Sequence, residues 1–131
     1  MTPFLFKNCL VIVSKGFGEV SVWDMERERH LVTLPKHSSE VKAITLINHG
    51  QHLVTADASI KVWKLPDSSS KSTLPTLFCE LSDFGISRDG VTYLEQLQNG
   101  SLVSASGSTD RVLRTWDWQQ CRLLGARVDL G

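Results

Sequence analysis

Residues 37–63 read HSSEVKAITLINHGQHLVTADASIKVW, and the way this stretch divides decides the fold. Residues 41–47 are dominated by branched and apolar side chains, the composition of a strand. Asn48-His49-Gly50-Gln51 is a turn signal. Leu53-Val54-Thr55-Ala56 makes a second short strand, and Asp57-Ala58 a second tight turn. Residues 59–63 form a third strand. Side chains alternate along a strand, so Ile60 and Val62 share one face while Lys61 and Trp63 share the other. The expectation is three antiparallel strands joined by hairpins.

Working outward, the same arrangement recurs. Tryptophans that close a strand occur at Trp23, Trp63 and Trp116, at intervals of 40 and 53 residues. Val20-Ser21-Val22-Trp23, Ile60-Lys61-Val62-Trp63 and Leu113-Arg114-Thr115-Trp116 align on the tryptophan. The strands before them match too: residues 10–14, 53–56 and 102–106. Asp57 and Asp110 each lie six residues before their tryptophan. A unit of this length, ending in Trp-Asp, resembles the blade of a WD-repeat β-propeller, whose repeats run about 40–45 residues with Gly-His near the start. The resemblance is divergent. The opening pair of the middle unit is Lys36-His37 and its closing pair is Trp63-Lys64, whereas the flanking units close with Trp23-Asp24 and Trp116-Asp117.

The resemblance implies an all-β fold, an incomplete propeller of about three four-stranded antiparallel blades. It also implies a buried hydrogen-bonded set in which His37, Thr55, Asp57 and Trp63 hold one another. Asp110 and Trp116 take the same structural roles in the third repeat. Such a set is what a buried carboxylate and imidazole require.

The units divide at 1–35, 36–84 and 85–131. The first is incomplete: Phe4-Leu5-Phe6 reads as a remnant strand, nothing like Gly-His precedes it, and Phe17 stands where an Asp is expected. Residues 30–34 form its outer strand. In the second unit the Ser- and Pro-rich residues 65–75 read as an exposed loop that explains the longer interval, with 76–81 as the fourth strand. Its serines are either phosphorylation acceptors or plain insertion. The third unit lacks the His, opens with a strand over 91–97 and turns at Gln98-Asn99-Gly100. It continues through 102–106 and 112–116 and ends on 121–126.

Composition bounds the rest. The 131 residues carry 14 Lys plus Arg against 14 Asp plus Glu, which disfavours nonspecific nucleic-acid binding. Cys9, Cys79 and Cys121 are far apart and fit neither a zinc spacing nor a disulfide framework; reduced, partly buried thiols in a cytoplasmic or nuclear protein are expected. No apolar run is long enough to span a membrane. The opening segment lacks a charged front, is interrupted by Lys7 and has no small-residue cleavage site, so two strands are expected there rather than a signal peptide.

Nothing points to catalysis. His49 and His52 are expected in a polar turn, with no Cys or carboxylate close by in sequence to complete a metal site. Ser104 and Ser106, with Asp110, imitate part of a hydrolase triad, but they lie within a strand pattern rather than on an exposed elbow. No cofactor is implied. By resemblance the chain is a non-catalytic scaffold or adaptor for other proteins, or else a structural segment of a larger WD-repeat regulator or enzyme. Partners then meet the loops between second and third strands and between blades, which here hold Lys15, Phe17, Lys36, Ser39, Glu40, Arg88, Asp89, Ser108 and Thr109. Phe17, apolar in a Gly-flanked turn, either packs on its blade edge or anchors a partner. No Trp-Asp-x-Arg occurs, so a ubiquitin-ligase adaptor role gains no support.

Closed propellers need about four to eight blades, so three leave blade faces bare. Closure is expected from further blades of a longer protein, from a second copy of this chain, or from a different chain. The isolated chain is expected to self-associate.

Overall fold

The computed structural model describes residues 4–6, 10–15, 19–24, 28–34, 41–65, 75–82, 90–106 and 112–128. These form twelve strands in three antiparallel sheets, each with its strands in sequence order. Blade 1 holds β1 (Phe4–Phe6), β2 (Leu10–Lys15), β3 (Glu19–Asp24) and β4 (Arg29–Thr33). Blade 2 holds β5 (Ala43–Ile47), β6 (His52–Ala56), β7 (Ile60–Lys64) and β8 (Thr76–Leu81). Blade 3 holds β9 (Val91–Gln96), β10 (Leu102–Ser106), β11 (Val112–Asp117) and β12 (Arg122–Val128). The described residues contain no helix.

The first repeat is more complete than its sequence suggests. The segment expected as a remnant pairs along its length with β2, Phe4 opposite Ile12 and Phe6 opposite Leu10, and so supplies the fourth strand of blade 1.

Register shows how closely the blades repeat. The closing tryptophans Trp23, Trp63 and Trp116 stand opposite Val11, Leu53 and Leu102 on their second strands. In all three sheets the pairing of third and fourth strands slips at the same step: Val22/Trp23, Val62/Trp63 and Thr115/Trp116. A bulge at a fixed position in each blade twists the outer strand the same way three times.

Blade 2 is the packed centre. Leu53 and Trp63 face blade 1 and bury with Val20, Val22 and Leu34. Val54, Ala56, Ile60, Val62, Cys79 and Leu81 face the other way and bury with Leu94, Leu102, Trp116 and Trp118 of blade 3. All five residues of β6 are therefore buried, as expected of a strand covered on both faces. In β10 burial alternates, because only one face of blade 3 is covered. Each fully buried Leu, Val or Ile here contributes about 1.5–3 kcal/mol.

Candidate functional site

Trp63 and Trp116 each turn toward the blade before them, and each meets a hydroxyl on its own second strand. The indole N–H of Trp63 donates to Thr55 Oγ1 at 2.9 Å, and that of Trp116 donates to Ser104 Oγ at 2.9 Å. Thr55 and Ser104 both stand two residues beyond the partner directly opposite the tryptophan. Both indoles are buried, at 2% and 1% exposure. In blade 1 the same register position is Val13, which carries no hydroxyl. Trp23 is 37% exposed and meets the edge of His30.

Asp57 fixes the turn between β6 and β7. Its Oδ1 accepts from the Ser59 amide at 2.8 Å and from the Ser59 hydroxyl at 3.0 Å. Its own carbonyl faces blade 3 and accepts from the Val91 N–H at 2.7 Å. Gly90, at φ +78°, lets the two backbones come this close. This clasp joins blades 2 and 3.

The second clasp lies at the opposite end of the strands. The Gln96 side chain accepts from the Asn48 N–H through Oε1 at 2.8 Å and donates through Nε2 to the Gly100 carbonyl at 3.1 Å. The Trp118 indole N–H also donates to that carbonyl, at 2.9 Å. Trp118 fills the seam between blades and packs on His52 and Phe78 of blade 2. Burial here, and then the Lys64 ammonium, hold the His52 imidazole below its ordinary range. Beside this clasp opens a cleft of about 550 Å³, walled mainly by amide and hydroxyl groups of the β5–β6, β9–β10 and β11–β12 turns.

The third feature is the outward face of blade 3. Leu113 occupies the register position that Ile60 holds in blade 2, and Tyr93 the one that Ala43 holds. Ile60 is 0% exposed and Ala43 6%, because blade 3 covers them; Leu113 is 47% exposed and Tyr93 48%.

Comparison with known proteins meets this geometry directly. Residues 28–64, spanning β4 to β7, match the family model described as WD domain, G-beta repeat. That stretch is similar to a single WD repeat. The whole arc has the fold of a β-propeller. It superposes on the Cps50 (Swd1) β-propeller domain of Myceliophteria thermophila with a TM-score of 0.76 at 13% identity. It superposes on U3-55K with a TM-score of 0.72 at 18% identity. Those matches cover 95% and 93% of this chain but only 39% and 36% of the two solved chains.

The WD-repeat residues named from sequence divide into two groups. Thr55 and Trp63 meet in one hydrogen bond, Asp57 caps the neighbouring turn, and Trp116 pairs with Ser104. His37 and Asp110 lie outside the described residues, as do Phe17, Lys36, Ser39, Glu40, Arg88, Asp89, Ser108 and Thr109. Lys15 is the last residue of β2, opposite Glu19.

Ser104 and Ser106 lie within β10, as their strand pattern implies, and Ser104 is 1% exposed and receives an indole N–H. Ser106 receives a guanidinium N–H of buried Arg114 at 3.0 Å. His52 is not a turn residue: it begins β6 and is buried between aromatic rings of two blades. Nothing in the sequence marks Gln96 for its contact with Asn48. The only sequence signal for Trp118 is the second tryptophan of Trp116-Asp117-Trp118, two places past the one that closes the blade.

Asp117, next to the closing tryptophan of blade 3, holds the following turn. Its Oδ1 accepts the Gln120 N–H at 3.1 Å and so caps the turn into β12.

Proposed function

We propose that this chain is a non-catalytic protein–protein interaction scaffold and that the outward face of blade 3 is one of its docking surfaces. The observation that carries the reading is the contrast between Ile60, 0% exposed, and Leu113, 47% exposed, at one register position. An apolar sheet face of this kind is stable when another apolar face lies on it. The occupant that fits is a further β-blade, because that is what covers the equivalent face of blade 2. Further contacts belong to the loops between second and third strands and between blades, with Lys15 and Phe17 among their residues.

A second reading, a structural segment of a larger WD-repeat protein with no binding of its own, is favoured by coverage of under two-fifths of either solved propeller. The readings differ in what covers blade 3. A photo-cross-linking residue in place of Leu113, in the chain expressed in cells, is expected to give a discrete adduct with a separate polypeptide. The same residue in place of exposed Ser82 is expected to give none. No adduct at 113 contradicts the scaffold reading.

A further inference from the structure

Two cysteines separated by 41 intervening residues meet at the seam between blades 2 and 3. Cys79 lies on β8, buried in the apolar cluster shared by the two blades. Cys121 is in the β11–β12 turn, exposed, with its Sγ donating to the carbonyl of Glu80, the neighbour of Cys79, at 3.3 Å. Cys121 takes φ +60°, a left-handed conformation usually left to Gly or Asn. Glu28 takes φ +52° at the matching place in blade 1, five residues past its tryptophan, so the turn demands this conformation and a cysteine has been placed in it.

We propose that Cys79 and Cys121 are a disulfide-forming site, oxidised by small-molecule disulfides such as glutathione disulfide, that staples blade 2 to blade 3.

Their surroundings assign the order of events. Burial, and then the adjacent Cys121 thiol, push the Cys79 thiol up to about 12, so it is a poor first nucleophile. Exposed Cys121 reacts first. Its thiolate attacks one sulfur of the small disulfide, the old S–S bond breaks, and one small thiolate leaves with the electron pair. Cys79 then loses its proton to solvent as its sulfur attacks Cys121 Sγ, and the second small thiolate leaves. Two protein thiols are oxidised to one disulfide, and one small disulfide is reduced to two thiols.

The staple closes a seam already held by Trp118, by the Gln96 clasp and by the Asp57–Val91 bond. It therefore locks a native contact rather than creating one.

The test uses the full chain incubated with glutathione disulfide, then denatured and titrated with a thiol reagent. The reduced chain presents three thiols, from Cys9, Cys79 and Cys121. The oxidised chain is expected to present one, to lose about 2 Da, and to yield a 79–121 cross-linked peptide. The linkage is expected to form at least ~10-fold faster in the folded chain than in urea, because the fold brings the thiols together. Cys9→Ser leaves it intact, and Cys121→Ser, at an exposed position, abolishes it. A stable mixed disulfide on Cys121 with Cys79 still titratable overturns the proposal. So does a linkage that forms equally fast in the unfolded chain.

Discussion

Trp63→Ala and Trp116→Ala each lose about 3–5 kcal/mol of stability, while Trp23→Ala, at the same place in its own blade, loses less than ~1.5 kcal/mol. All three close a third strand, stand opposite a second-strand residue and follow the same bulge. Chain position therefore does not separate them. Two differences do. Trp63 and Trp116 are buried against the preceding blade, whereas Trp23 is 37% exposed. Thr55 and Ser104 receive the buried indole N–H groups, whereas blade 1 offers Val13. Thr55→Val removes the acceptor while keeping the shape, and leaves a buried N–H without it at a cost of about 1–3 kcal/mol. Native stability is only about 5–15 kcal/mol, so either buried tryptophan is a large share of it. Urea denaturation at matched protein concentration measures all four variants. Equal losses at Trp23 and Trp63 would mean that the face of blade 1 is covered as well as that of blade 2.

Gly90→Ala is expected to cost about 2–4 kcal/mol, and Gly100→Ala only about 1 kcal/mol. Both glycines have positive φ, +78° and +94°, so both variants carry the strain of an L-residue in that region. Only Gly90 also has a collision. A Cβ there meets the Asp57 carbonyl oxygen at 2.9 Å and its carbon at 3.0 Å, while around Gly100 nothing lies within 4 Å. The colliding atoms are backbone, and that carbonyl holds the Val91 N–H at 2.7 Å. Relief of the clash must lengthen this bond and part blade 3 from blade 2. Hydrogen exchange at the Val91 amide reads the effect directly: it is expected to quicken in Gly90→Ala and to stay unchanged in Gly100→Ala. Equal behaviour of the two variants would remove the Asp57–Val91 contact from the account of how the blades are joined.

These contrasts mark what the sequence reveals. Strands and their order are legible because turn chemistry and period-two alternation are local properties, written within a few residues of one another. The tryptophan repeat is legible for the same reason. Phe4, Leu5 and Phe6 read only as a remnant because a three-residue strand has too little pattern to declare itself; its pairing with β2 makes it the fourth strand. Contacts between blades are not legible. His52 reads as a turn residue from its neighbours His49 and Gly50, yet its surroundings come from Phe78 and Trp118. Gln96 is an ordinary polar residue at the end of a strand until Asn48 is placed beside it. Cys79 and Cys121 appear unrelated until the blades are stacked.

The polar cleft lies where the β5–β6, β9–β10 and β11–β12 turns come together. Meander topology alone predicts which turns share an end. It does not predict which of them enclose a cavity, since that depends on side chains of three turns from two blades.

A blade face that another protein surface covers is left bare in the isolated chain and finds a second copy. Light scattering behind a sizing column gives the mass of the purified 131-residue chain. Self-association is expected, as a discrete dimer or a broad range of larger species, and Leu113→Glu is expected to reduce it. A sharp, cooperatively unfolding monomer of 14.6 kDa would contradict it.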